Sequence, residues 1–320
     1  MEFIVQGVLL TTLSTFGFIG NLLSIIVLLN YNASQNGLFS RILLNLVIFD
    51  MFFLLSAINL FGLPTLSEWY KKMVYFPTIN ISYGLTHVAK VGSMFATISV
   101  TVERFYAIVL PFKDKERIKK WLIPGTIIFT IVYNVPKFFE VTTVYDPNRN
   151  ETIVVGTAMR ENPLYTFYYV LLAKLVVTDL GPCVIILILN IFIVVKMIKS
   201  RQFRSKLLRE KSQHDPEIWK KEYESLEKQR QEHKLGMVLM VISVFFIICQ
   251  SSKVIPDVYE FLVCSDRTEE CEPTPFINAC IHWSHLLACL NSSANFVIYL
   301  LGGKKFRDAW IKTFAKCFSV

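Results

Sequence analysis

Ionisable side chains inside sequence that otherwise suits hydrocarbon are most conspicuous at two places in this 320-residue chain. In TVERFYAIVLP (101–111), Glu103 and Arg104 stand side by side between apolar runs, and in LLNLVIFDMFFLL (43–55) Asp50 stands alone. Such groups are costly in an apolar medium, so each is a functional candidate. A lone buried carboxylate must be protonated, paired or bound to a cation. Oxygen-bearing residues that could surround Asp50 are Asn21, Ser93, Asn291, Ser292 and Asn295, but spacing alone does not bring them together. No HExxH, GxSxG or other catalytic constellation is present, so an enzyme is not expected.

The elements that position these residues follow from composition. The chain is 53% hydrophobic with a mean hydropathy of +0.46, outside the range of an ordinary soluble domain. Seven stretches are long and apolar enough to span a bilayer: roughly Val5–Asn30, Phe39–Leu63, Ile79–Leu110, Trp121–Phe139, Tyr165–Val195, Leu235–Val263 and Phe276–Leu301. Backbone groups in lipid must be satisfied within the segment, which leaves helices as the reasonable state. The expected fold is all-α: one seven-helix bundle over residues 1–302, then a short amphipathic helix and tail over 303–320. A transporter would show two related halves with broken helices, and the sequence has no internal repeat.

Lysine and arginine set the expected orientation. With the N-terminus outside, the cytoplasmic segments carry 23 basic residues and the outer ones five. The net charge of +8 is then mostly topology and calls for no nucleic-acid partner. Met1–Asn30 reads as a first span rather than a cleaved signal. The expected location is the plasma membrane, multi-pass, with the C-terminus cytoplasmic.

Other features decorate this frame. Glu217 with Lys221 and Glu224 with Lys228 support a helix over 215–234 that extends the sixth span into the cytosol. After the seventh span, Phe306, Trp310, Phe314 and Cys317 recur at helical spacing among lysines, as expected of a helix lying on the lipids of the inner leaflet. Cys317 is a candidate palmitoylation site. Cys264 and Cys271 bracket SDRTEE in an outer loop, where a local disulfide can form. Asn80-Ile-Ser and Asn150-Glu-Thr are outer glycosylation sequons, Asn150 the better candidate.

The motifs GN (20–21), LLNLVIFD (43–50), ERF (103–105), Pro182 and NSSANFVIY (291–299), each in its own span and in this order, resemble the rhodopsin-like G-protein-coupled receptors over essentially the whole chain. More narrowly, YNVPKFFE (133–140) and FFIICQSSKVI (245–255) look like the invertebrate FMRFamide-receptor group. The resemblance implies that Arg104 ends the third helix, restrained by Glu103 and by an acid at the start of the sixth helix, where Glu232 stands. Release of the arginine would admit a heterotrimeric G protein, with Tyr299 swinging inward. Asp50, Ser93, Asn291, Ser292 and Asn295 match the family's sodium pocket. No other cofactor is implied, and arrestin would be a further partner. The sequence departs from the family in having no cysteine in 64–92 or 141–170, where a disulfide usually ties the second outer loop to the third helix. That loop must be held some other way. Gln250, Ser252, Phe296 and Asn190 also replace customary residues.

The resemblance places His87, Lys90, Lys174, Asp179, Gln250, Lys253, Asp257 and His285 between the helices in the outer half, suited to a ligand rich in polar groups. Some of these could pair internally, Lys253 with Asp257 four residues on, or Lys90 with Asp179. The outer segments carry nine acids against five bases, an attraction for cationic peptides. An Arg-Phe-amide peptide would set its guanidinium against Asp257 or Glu260 and its ring near Trp283. The three pocket lysines favour a carboxylate instead. The expectation is thus a neuropeptide receptor, with alternatives in a chemosensory receptor for a small or carboxylate-bearing ligand and a non-signalling receptor-like binder.

Overall fold

The computed structural model describes residues 2–35, 38–110, 116–147, 150–211, 237–238, 240–263, 274–302 and 304–318. Glu232, Cys264 and Cys271 lie outside the described residues, as do the side chains of Glu260 and Cys317. Among the described residues seven helices can cross a membrane: Phe3–Asn30, Leu38–Leu66, Glu68–Ile108, Lys120–Phe139, Pro163–Ser200, Met240–Tyr259 and Pro275–Leu301. An eighth helix, Lys304–Phe318, follows. The bundle is apolar outside and polar within. Phe52, Ile128, Val132 and Ile191 are exposed, while Asn21, Asp50, Thr130 and Glu140 are fully enclosed. A chain dissolved in lipid gains nothing by hiding its aliphatic side chains, so the interior is where its polar groups find partners.

The third span begins earlier than hydropathy predicts, at Glu68 rather than Ile79. Its 41 residues make about 60 Å of helix at 1.5 Å per residue, twice the hydrocarbon thickness. The added turns, EWYKKMVYFPT, are too polar for a hydropathy window to register. Ser67, in an extended conformation, separates them from the second span and caps the new helix by accepting from the Tyr70 amide at 3.3 Å.

Two strands were not expected. β1 (Val141–Asp146) and β2 (Glu151–Gly156) pair antiparallel, Val141 opposite Gly156 and Asp146 opposite Glu151. VTTVYD and ETIVVG are rich in β-branched residues around a turn of Pro and Asn, a readable hairpin signal. Asn150 takes the left-handed conformation the turn requires, with φ of 51°. This hairpin marks one end of the bundle; the helix Lys304–Phe318 marks the other. There Phe306 packs on Tyr299, ring centroids 5.8 Å apart, and Trp310 on Phe296 at 5.6 Å. Both rings expected to lie on lipid therefore meet the seventh helix.

The fifth span changes pitch. From Thr166 to Leu180 its turns are wide, with amides bonding five residues back, and at Gly181 it returns to an ordinary helix. The Gly181 amide donates to the Val176 carbonyl, and a Cβ at Gly181 would stand 2.2 Å from that oxygen. Glycine is required there because the obstacle is backbone. The sixth span is broken as well: Pro256 has no amide for the Ser252 carbonyl, and the Lys253 amide tightens onto Gln250 O at 3.1 Å.

Replacing Gly181 with alanine is expected to destabilise the protein by about 1–3 kcal/mol through this overlap. Gly125→Ala, where a Cβ meets nothing, is expected to leave stability unchanged or raise it. Thermal unfolding of the purified variants in detergent checks the contrast; equal melting temperatures would refute it.

Candidate functional site

The loop that lacks its disulfide is held by a buried carboxylate. Glu140, fully enclosed just beyond the fourth span, accepts from Lys137 Nζ at 2.7 Å and Tyr165 OH at 2.8 Å on Oε1. Its Oε2 accepts from Tyr83 OH and Arg160 Nη1, each at 3.3 Å. One carboxylate thus joins the third span (Tyr83), the fourth (Lys137), the hairpin's exit (Arg160) and the fifth (Tyr165). Charge-assisted bonds of this kind are worth about 1.5–3 kcal/mol each, and removing one member of a buried pair costs more. Close approach is possible because Gly84 leaves room for the Phe138 ring, which a Cβ would meet at 2.5 Å. No sequence pattern announces this cluster; its members come from four separate segments.

Below it lies a small cavity of about 60 Å³, walled by His87, Lys90, Lys137, Arg160 and Lys174 among others. Tyr83 packs edge-on to His87 at 4.5 Å and so links the cavity to Glu140. The expected internal pairs do not form as drawn. Asp257 is ion-paired with Lys174 of the fifth span. Lys253 stays one helical turn from Asp257, whose amide donates to the Lys253 carbonyl at 3.1 Å, but among the described residues the two side chains make no ion pair. Asp179 is buried close by, its Oδ1 accepting from Thr178 at 3.3 Å. Gln250 is buried, and His285 turns toward the first two spans, stacking on Phe61 at 4.2 Å and meeting Gln6 at 3.3 Å. Trp283 lines neither this cavity nor the next. Two positions from His285, it points to the opposite helix face and is 47% exposed.

A second cavity of about 510 Å³ opens beneath the hairpin, between the first three spans. Glu2, Glu68, Phe61 and Tyr75 are among its lining, and Tyr83 borders both cavities. Sequence reasoning did not anticipate it.

Further along the bundle, Asp50 is fully enclosed. Ser93 Oγ donates to its Oδ1 at 2.5 Å and Asn295 Nδ2 to its Oδ2 at 2.7 Å, while the Ser292 hydroxyl also bonds to it. Asn21 donates to Ser292 O at 3.1 Å. Asn291 is buried on the same helix and, among the described residues, makes no hydrogen bond to Asp50. A buried carboxylate with the Ser93 and Ser292 hydroxyls beside it offers hard oxygen donors of the kind a monovalent cation takes, so the residues fit sodium.

At the far end, Glu103 and Arg104 are both buried, with Arg104 Nε 3.0 Å from Glu103 Oε2. The guanidinium carbon lies 3.5 Å above the centre of the Phe39 ring. This cation–π contact was missed because Phe39 reads as an ordinary apolar residue of the second span. Tyr299 belongs to the apolar cluster of Val27, Ile42, Leu46 and Val100 at the same level.

Residues 20–299 match the 7 transmembrane receptor (rhodopsin family). The chain belongs to that family. Its members are signalling receptors and not enzymes. The FMRFamide receptor of Drosophila melanogaster is 26% identical over 332 aligned positions, covering 99% of this chain and 55% of that protein. The receptor described here thus spans about half the length of that relative. The crystal structure of squid rhodopsin superposes with a TM-score of 0.70 at 16% identity, covering all of this receptor and 87% of that chain, which shows the shared fold.

Glu140→Gln is expected to leave Lys137 and Arg160 facing a neutral amide and to cost about 3–5 kcal/mol. Tyr165→Phe removes a single bond and is expected to cost about 1.5–3 kcal/mol. Melting temperature and tryptic cleavage at Arg160 report both; equal tolerance of the two substitutions would show that Glu140 is not the tie.

Proposed function

We propose that this receptor is activated by an amidated, FMRFamide-like peptide and signals through heterotrimeric G proteins. The similarity to the FMRFamide receptor along 99% of the chain carries this reading. The wide cavity supports it: Glu2 and Glu68, against the single base Lys71, with an aromatic wall suit a ligand that joins positive charge to rings, and Tyr83 forms a wall common to both cavities. Asp257 is already paired with Lys174, which makes the wide cavity the better place for a ligand guanidinium. The hairpin end faces outward in this reading, as the distribution of basic residues implies. Asn150, exposed at the hairpin turn, is then open to glycosylation.

Transmission runs along the third span. Asp50, bonded to Ser93 and Asn295, would hold sodium in the resting state, joining the third and seventh helices. Movement at either helix disturbs that set. Arg104, kept by Glu103, the Phe39 ring and, in the proposal, Glu232, would be freed when the sixth helix moves outward, opening the cytoplasmic end to a G protein.

The reading is tested by exposing cells that express the receptor to a panel of amidated peptides, FMRFamide among them, and recording calcium and cyclic AMP. An Arg104→Ala variant should bind but not signal. No response from any amidated peptide at confirmed surface expression would reject it.

Two further outcomes are expected. Glu232→Ala and Phe39→Leu should each raise ligand-independent signalling, the latter by a few-fold for a contact of about 1 kcal/mol; unchanged basal activity at equal expression would argue against the restraint. Asp50→Asn should abolish any depression of agonist affinity by sodium, since a neutral amide does not balance the cation. Equal sodium effects in both proteins would place the ion elsewhere.

A further inference from the structure

The wide cavity beneath the hairpin is lined by a buried amide with only one of its ends engaged. Gln6 is 6% exposed, and its Nε2 donates to His285 Nδ1 at 3.3 Å. Among the described residues its side-chain carbonyl oxygen receives no hydrogen bond. An acceptor held away from bulk water without a donor is costly, and a donor entering the cavity recovers that cost. The hydroxyls of the lining are occupied elsewhere, Thr65 donating to the Phe61 carbonyl and Tyr83 to Glu140. Glu2, Glu68 and Lys71 are in no ion pair among the described residues, so the acids outnumber the base by one.

The inner wall leans on the seventh helix. Phe61 stacks on the His285 ring that Gln6 bonds, centroids 4.2 Å apart. His285 stands ten residues before Asn295, about 15 Å along one helix, and Phe61 eleven residues after Asp50 on the second span. The two helices that meet at Asp50 therefore meet again behind this cavity.

We infer that Gln6 reads a primary carboxamide and Glu68 a guanidinium, so that the wide cavity takes the amidated, arginine-bearing end of a peptide. This rests on the reading of the chain as a receptor for amidated peptides and assigns the ligand's two polar groups to residues. A carboxamide N–H donates to the open oxygen of Gln6. A carboxylate has no hydrogen to donate and is repelled by both acids; a methyl ester is neutral but equally without a donor. The guanidinium takes the carboxylate of Glu68, the first residue of a helix whose start is fixed by the Ser67 cap, as a charge-assisted pair. The ligand's ring packs on Phe61 and Tyr75. At about 510 Å³ the cavity falls within the range of small-ligand sites, roughly 300–1,000 Å³.

The assignment is tested first in cells expressing the receptor or its variants at equal surface level, with calcium responses to FMRFamide, its methyl ester and its free acid. The amide should be about two- to tenfold more potent than the ester, with the free acid weakest. In Gln6→Met the amide and the ester should become equal. Replacing the ligand's arginine with citrulline should cost roughly tenfold or more in the wild type and far less in Glu68→Gln. An amide preference that persists in Gln6→Met, or a citrulline loss undiminished in Glu68→Gln, would overturn the assignment. Should Gln6→Met not reach the surface, Gln6→Leu makes the same comparison, and equal potency of amide and ester in the wild type overturns the carboxamide role by itself.

The second measurement needs no signalling. The purified full-length receptor is melted with N-acetyl-Arg-Phe-amide, its methyl ester or its citrulline analogue. The amide should raise the melting temperature most, and the advantage over the ester should disappear in Gln6→Met and that over citrulline in Glu68→Gln. Silence toward every peptide in cells with these melting differences intact would reject the FMRFamide-like reading and leave the site standing. Calcium responses indifferent to both substitutions would keep that reading and overturn the site, and absence of both responses and melting shifts would overturn the two together.

Discussion

Everything at the hairpin end depends on one buried carboxylate. Once Glu140 is out of water it needs partners for both oxygens, and the partners it takes come from the third and fifth spans and from the chain leaving the hairpin. A covalent tether would fix only two points. The carboxylate fixes four, but only while the surroundings stay dry, since each of its bonds weakens when water can compete. The hairpin therefore holds the roof of the pocket and is itself held by what it keeps from solvent.

The lipid environment explains why such clusters are inside at all. With aliphatic side chains content on the outer surface, polar groups gather along the bundle axis, and the third span orders them. Tyr83, His87, Lys90, Ser93 and Arg104 mark successive levels over about 31 Å of helix. Three of these levels take a counterpart from another part of the chain: Glu140 beyond the fourth span for Tyr83, Asp50 of the second for Ser93, and Phe39 of the second for Arg104. A shift of the third span relative to the second disturbs two of these sets, which gives the receptor a physical route along the bundle.

Much of this was legible in the chain itself. Seven spans follow from hydropathy, and Asp50, Glu103 and Arg104 stand out because a charge in an apolar run is conspicuous at the level of sequence; Ser93 and Asn295 joined Asp50 only through the resemblance to the receptor family. The early start of the third span and the hairpin were not read, although Ser67 as a cap and the β-branched runs at 141–146 and 151–156 offered local signals for both. A hydropathy window averages such signals away.

What the sequence alone determined is the architecture: in lipid, the backbone must satisfy itself segment by segment, so local composition suffices to place the helices. Which charges meet was decided only by the tertiary structure. Lys253 and Asp257 have the spacing of a helical pair, and the Asp257 amide does bond the Lys253 carbonyl, yet the Asp257 side chain pairs with Lys174 of the fifth span. Arg104 finds Phe39, and Glu140 collects donors from segments up to 57 residues away. Those partnerships depend on the rotation and pitch of whole helices, which are set by packing between distant segments and leave no local trace in the order of the residues.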